Sequence, residues 1–239
     1  MCPENLEAGH EQEKEASKKH GKEEVLKETG ENLENLSMKM LVEQAAAKSD
    51  KELELDSYTD LYEENPALAI LIKKVAGHFG IPEPLLYATF EHESHFKHGL
   101  VGYPGLKGKS GGIGQFREMT WDEINGENAK EFVEFRAFMD QCYPGRKFAR
   151  GENILADIAA TAAFLKYLGG KRTKFSKLPE YRLVFMRARY VGDKDFKEQM
   201  KYYVSGEYDG VDQKYKDFIR TYKKYKTTWR EAPGALLAE

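Results

Sequence analysis

Apolar residues recur along most of this chain at the three-and-four spacing of amphipathic helices, and no run alternates strictly as a half-buried strand does. Ala67–Phe79 is strongly apolar, with Lys73 and Lys74 on one side. Pro66 suits its first turn, Gly80 its stop, and Ile81-Pro82 the corner that follows. The next helix is predicted from Glu83 to His95, where Leu86, Phe90 and Glu93 share one face. Further helices are predicted over Glu118–Asn125, with Trp121 in the core or on a cleft wall, and over Lys130–Met139. The clearest is Asn153–Leu168, in which Ile154, Ile158, Ala162 and Leu165 repeat and Gly169-Gly170 ends the element. Leu178–Tyr190, Phe196–Tyr203 and Val211–Tyr225 complete the set. No strand–helix alternation and no internal repeat is found, so the fold class is mainly α.

The N-terminal stretch reads differently. Residues 1–50 are dominated by Glu and Lys and contain no Trp, Tyr or Phe. Such a segment is either a disordered tether or a solvated helix. Leu33, Leu36, Met40, Leu41 and Gln44 fall on one stripe, which predicts a helix over roughly 31–48 that docks or frays. The acidic stretch Asp50–Asn65 reads as a linker. The expected organisation is a charged extension over residues 1–60 and a helical domain over 61–239, the latter ending in a C-terminal helical extension.

Composition narrows the function classes. The chain has 239 residues and a formal net charge of -3, which gives no sign of a nucleic-acid partner. Two cysteines, Cys2 and Cys142, are too few for a disulfide framework and form no zinc pattern. No apolar run reaches the roughly 20 residues of a membrane span, and no apolar h-region marks a signal peptide. Cys2 reads as an ordinary residue or as the first residue of a mature lipoprotein, tethered to a membrane by lipid. Oligomeric state is not readable.

The candidate chemistry lies in Tyr87–Gln115. Glu93 stands near a helix end, continuing an apolar stripe; Glu91, roughly 200° round the helix at about 100° per residue, reads as a solvent-facing charge. Apolar neighbours and the negative end of the helix dipole both favour a protonated Glu93, as a general acid requires. Ser94 suits a bond back to the helix carbonyls or support of the carboxylate. A loop rich in Gly and Lys follows and closes on Gly112-Ile113-Gly114-Gln115 and Phe116. Gly111, Gly112 and Gly114 allow close approach of a ligand or a tight turn, and Gln115 offers a donor and an acceptor to a sugar. Lys97, Lys107 and Lys109 fit either a solvated loop or one that meets anionic peptides. His92, His95 and His98 lack the spacing of a helical metal motif and no further ligand set is evident, so neither metal nor cofactor is expected. No G-x-S-x-G elbow supports a serine hydrolase.

In these motifs the span Ile81–Gly192 resembles the catalytic domain of lytic transglycosylases, within the lysozyme-like superfamily. Leu85–Ser94 reads LLYATFEHES against that family's LLYA…E-S; Gly112–Gln115 reads GIGQ against G-x-x-Q; Asn153, Ile154 and Leu165 match its N-I-x₁₀-L helix. The run GIGQF is similar to the membrane-bound branch. Ala188–Gly192 reads ARYVG where the family usually has A-Y-N-A-G, so Arg189 replaces the Tyr and Tyr190 the Asn. The resemblance implies a lysozyme-like helical catalytic domain that cleaves the β-1,4 bond between N-acetylmuramic acid and N-acetylglucosamine in peptidoglycan. It implies Glu93 as the catalytic acid and then base, closing a 1,6-anhydro ring, with Ser94, Gly112, Gln115, Phe116 and Tyr190 at the glycan. Glycosidases that end in water usually need two carboxylates; Phe96–Phe116 contains no Asp or Glu. The implied partner is the glycan strand and the implied location the cell envelope or periplasm, as an outer-membrane lipoprotein if Cys2 is lipidated, or else a phage lysis or virion protein.

Two rival readings keep the same fold. A goose-type lysozyme or phage endolysin would hydrolyse the bond with help from a second acid, for which Asp122, Glu123 and Asp157 are the places to look. A non-catalytic wall-binding protein is the other, supported by the altered ARYVG run.

Overall fold

The computed structural model describes residues 28–29, 32–50, 52–53, 55–99, 110–170, 186, 189–190 and 196–229. The readings of Cys2, Lys107 and Lys109, and most of the helix expected over Leu178–Tyr190, lie outside them. The described part is mainly α-helical. Its helices are α1 (Met38–Ala47), α2 (Tyr58–Glu64), α3 (Pro66–Phe79), α4 (Glu83–Ser94), α5 (Glu118–Asn125), α6 (Val133–Cys142), α7 (Ile154–Gly169), α8 (Phe196–Ser205) and α9 (Gln213–Trp229). One antiparallel pair of two-residue strands, β1 (Ser110–Gly111) and β2 (Phe116–Arg117), lies between α4 and α5, with Gly111 opposite Phe116.

Local chemistry sets the helix limits. The Asn65 side chain accepts the Leu68 N–H at the start of α3, with Pro66 at its first position, and Gly80 closes it at φ 66°. Asn153 caps α7 by accepting the Ala156 N–H. Both caps satisfy amides that a helix start leaves unpaired. α3 and α7 are the central pair. Leu68, Leu71, Ile72 and Val75 of α3 are fully buried, as are Leu155, Ile158, Ala159, Ala160 and Ala162 of α7. The small residues of α7 let α3 approach closely, and α1, α5 and α6 also pack on α7 or α3.

Three sequence expectations are corrected. The stretch Asp50–Asn65 is no linker: it holds α2 behind a Ser57–Asp60 capping box, and Leu55, Leu61 and Tyr62 are buried. The side chain of Asn65 donates to the Ala45 carbonyl at 2.9 Å and to Ser49 Oγ at 3.2 Å, fastening α1 to α3. On α1 the buried face is Leu41, Val42 and Ala45, whereas Met40 and Gln44 are exposed; α3 covers the neighbouring flank of the helix, so the stripe is rotated. Glu91 is not solvent-facing. α9 lies along α4 and brings Lys224 and Tyr225 onto its carboxylate. Leu41, Val42, Ala45 and Leu55 therefore share one core with α3–α7 and α9.

Candidate functional site

α4 is buried over Leu85–Phe90 and emerges at its end, leaving Glu93 partly exposed with Oε1 out of solvent reach. The helix stops because His95 turns left-handed at φ 47°, and its N–H goes back to the Glu91 carbonyl. Phe96 is left-handed too, at φ 61°, and fully buried. Gln115 is the third non-glycine residue with positive φ among those described. Such backbone costs about 1 kcal/mol or more per residue and persists where the surroundings hold it. Here it brackets both motifs of the candidate site.

Ser94 joins the two motifs. Buried at 1% exposure, its hydroxyl lies 3.2 Å from the Phe90 carbonyl and 2.8 Å from the Ile113 carbonyl. One hydroxyl carries one proton, so the shorter contact is the better donor geometry. It ties the last turn of α4 to the turn Gly112–Gln115, nineteen residues away.

That turn is held from within and from below. The Gln115 N–H and Nε2 both donate to the Gly112 carbonyl, at 3.1 and 2.8 Å, and Oε1 accepts from Ser110 Oγ at 2.8 Å. Below it lies Asp157 of α7, with no exposed surface. Its carboxylate accepts the N–H of Gly151 at 3.1 Å and faces His98 Nε2 at 3.1 Å, with the Ile113 amide close by. Burial pushes its pKa up, while His98 and the two amides oppose the rise. A methyl group on Gly112 would sit 2.1 Å from Asp157 Oδ2, and one on Gly114 would sit 2.3 Å from Thr161 Oγ1. These glycines are demanded by the side chains under the turn. The Tyr190 hydroxyl donates to the Gly114 carbonyl at 2.5 Å.

Of the six residues expected at the site, Ser94, Gly112, Gln115 and Tyr190 therefore meet at one turn, and Glu93 adjoins it through Ser94. Phe116 sits beneath, 3% exposed, with ring centroids 5.8 Å from Trp121, 6.0 Å from Phe164 and 5.6 Å from Tyr190. It shapes the support of the turn. Arg189 is exposed, and its guanidinium donates to the Leu168 carbonyl at 3.2 Å.

The histidines diverge. His92 meets Thr221 Oγ1 at 3.1 Å, His95 is exposed, and His98 turns to Asp157. Among the described residues, no group of three or more His, Cys, Asp or Glu is placed to hold a metal ion. Of the acids considered as partners to Glu93, Asp122 and Glu123 are exposed on α5, and Asp157 is sealed in the core. The part played by His98 and Asp157 under the turn is new relative to the sequence. One signal pointed to it: a lone carboxylate amid the apolar and small residues of ILADIAATAAF must be compensated wherever the helix is buried.

The chain matches none of the protein-family models, the curated proteins or the solved structures with which it was compared.

Proposed function

We propose that this protein is a peptidoglycan-cleaving enzyme of the lytic transglycosylase type, built on a lysozyme-like helical domain, with Glu93 as its one catalytic carboxylate. The observation that carries the reading is the Ser94–Ile113 bond. It supports the resemblance because the E-S and G-x-x-Q motifs, distant in sequence, adjoin in space. Tyr190 reaches the same turn from the altered ARYVG run.

In this reading Glu93 protonates the oxygen leaving from the muramoyl residue, and the substrate's own N-acetyl group assists at the anomeric carbon. The carboxylate then removes the proton of the muramoyl 6-hydroxyl, which attacks the same carbon and closes the 1,6-anhydro ring. The proton returns to Glu93 and no water is consumed, so one carboxylate suffices. The burial of Asp157, which leaves it no oxygen open to water, speaks against it as the second acid of a hydrolase. The turn Gly112–Gln115 offers backbone and the Gln115 amide to the sugar, with Phe116 and Tyr190 supporting it. No cofactor takes part. The substrate places the work in the cell envelope or periplasm, or in phage lysis; no helix among the described residues is long and apolar enough to cross a membrane.

The test is mass spectrometry of the products from purified peptidoglycan, with the parent and with Glu93→Gln. The expected products are muropeptides lighter by one water, ending in 1,6-anhydromuramic acid and absent with the variant. Reducing-end products would make the enzyme a hydrolase. No products from the parent, on a wall that a control enzyme digests, would leave a glycan-binding protein.

A further inference from the structure

Asp157 is the least expected residue of α7. It is wholly buried, and its neighbours Ala156, Ile158, Ala159 and Ala160 are buried and apolar. A carboxylate in such a place persists only when hydrogen bonds and an opposite charge compensate it. Here the compensation comes from three separate segments. Gly151 supplies an N–H just before α7, the backbone of Gly112 in the glycine turn lies directly over the carboxylate, and His98 brings Nε2 to 3.1 Å from the chain that leaves α4. His98 is itself fixed, because its backbone N–H donates to the Ser49 carbonyl at 3.0 Å. Gly112 lies so close over the carboxylate that no side chain fits between them. One group thus refers the end of α4 and the glycine turn to the same point on the central helix. This tie is independent of the Ser94–Ile113 bond.

We propose that Asp157 is a positioning residue: it sets the glycine turn against the end of α4, and thereby Glu93 against the glycan, without touching the glycan itself. The catalytic half of this statement rests on the transglycosylase reading, whereas the anchoring of the turn does not. A second-acid role would need an oxygen open to water, and Asp157 has none exposed.

The experiment compares the full chain with Asp157→Asn and Asp157→Ala. Amide hydrogen exchange is followed at residues 110–117 and 151, with α3 as the internal reference, and steady-state cleavage of solubilised glycan strands is measured alongside. In Asp157→Ala, exchange at the turn should rise about tenfold while α3 keeps its parental protection. Asp157→Asn keeps the size and one accepting oxygen, so its rise should be smaller; it also answers the question should the alanine variant not fold. Turnover should fall in the same order, by about tenfold in kcat for alanine with KM nearly unchanged. Parental exchange at the turn in either variant overturns the anchoring, and so does an equal rise in α3. A loosened turn with unchanged kcat overturns the catalytic half. A parent that cleaves no wall sinks the enzymatic reading alone, and the exchange comparison still decides the anchor.

Discussion

The phenol of Tyr225 donates to the carboxylate of Glu91, 134 residues earlier in the chain. Lys224 reaches the same carboxylate with both oxygens within 3.2 Å and also donates to the Leu55 carbonyl at 2.6 Å. The Tyr225 ring packs on Tyr87, with centroids 5.4 Å apart, and has no exposed surface. α9 is thereby fastened along α4, with His92 and Thr221 adding a further contact. Burial and the Glu91 charge push the Tyr225 phenol well above its ordinary range, so it stays a donor.

Tyr225→Phe keeps the ring and deletes this bond to a charged acceptor. The expected loss is about 1.5–3 kcal/mol. At about 2–4 °C per kcal/mol for a chain of this size, Tm should fall by several degrees in a thermal melt. An unchanged Tm would mean that Lys224 alone satisfies Glu91.

Ser94→Ala tests the link between α4 and the glycine turn. Removing the hydroxyl leaves the Ile113 carbonyl without its 2.8 Å donor in a buried place. A cost of about 1–3 kcal/mol follows. If the proposed function holds, wall cleavage should fall further than stability alone explains. Denaturant unfolding and product assays on one preparation separate the two effects.

Two glycine substitutions should act in opposite directions. Gly112→Ala places a methyl group 2.1 Å from Asp157 Oδ2 at φ 75°, where L residues are strained. A loss of about 2 kcal/mol or more is expected from overpacking and backbone strain together. Gly77→Ala lies on the exposed side of α3 with nothing within 4 Å. It should stabilise by about 0.5–1 kcal/mol through helix propensity. Equal and small effects from both would show that Asp157 yields easily under the turn.

Asp157 also makes a prediction about pH. Its folded-state pKa is raised, with burial as the leading cause. A raised carboxylate favours the fold while protonated, and that contribution is lost as pH rises from the ordinary carboxylate value of about 4 through the raised one. Asp157→Asn cannot ionise. Its Tm should therefore gain on the parent as pH is raised from about 4 to neutrality. A Tm difference that stays flat across this window, or shrinks, would place the ionised form at no disadvantage in the fold.

Much of the architecture is legible in local pattern. Pro66 and Gly80 bound α3, Asn153 caps α7, and Glu118–Asn125 is helical at the limits its residues suggest. Helix formation depends on neighbours three and four apart and on caps, which a sequence displays directly. The glycine turn was legible for the same reason, since close backbone approach needs residues without Cβ.

What lies across from each face was settled only by the tertiary structure. Glu91 reads as a surface charge in the sequence because its own helix gives no sign that α9 will cover it. Leu55, Leu61 and Tyr62 lie in a stretch too acidic to suggest burial, yet they complete the core. The sequence offers Asp157 only as a possible second acid, whereas its surroundings come from Gly151, Gly112 and His98, on three other segments. The periodicity of a helix shows which face is apolar. Which distant groups neutralise a buried charge, and which glycine makes room for it, depends on how separate segments pack, and that is decided by the whole chain at once.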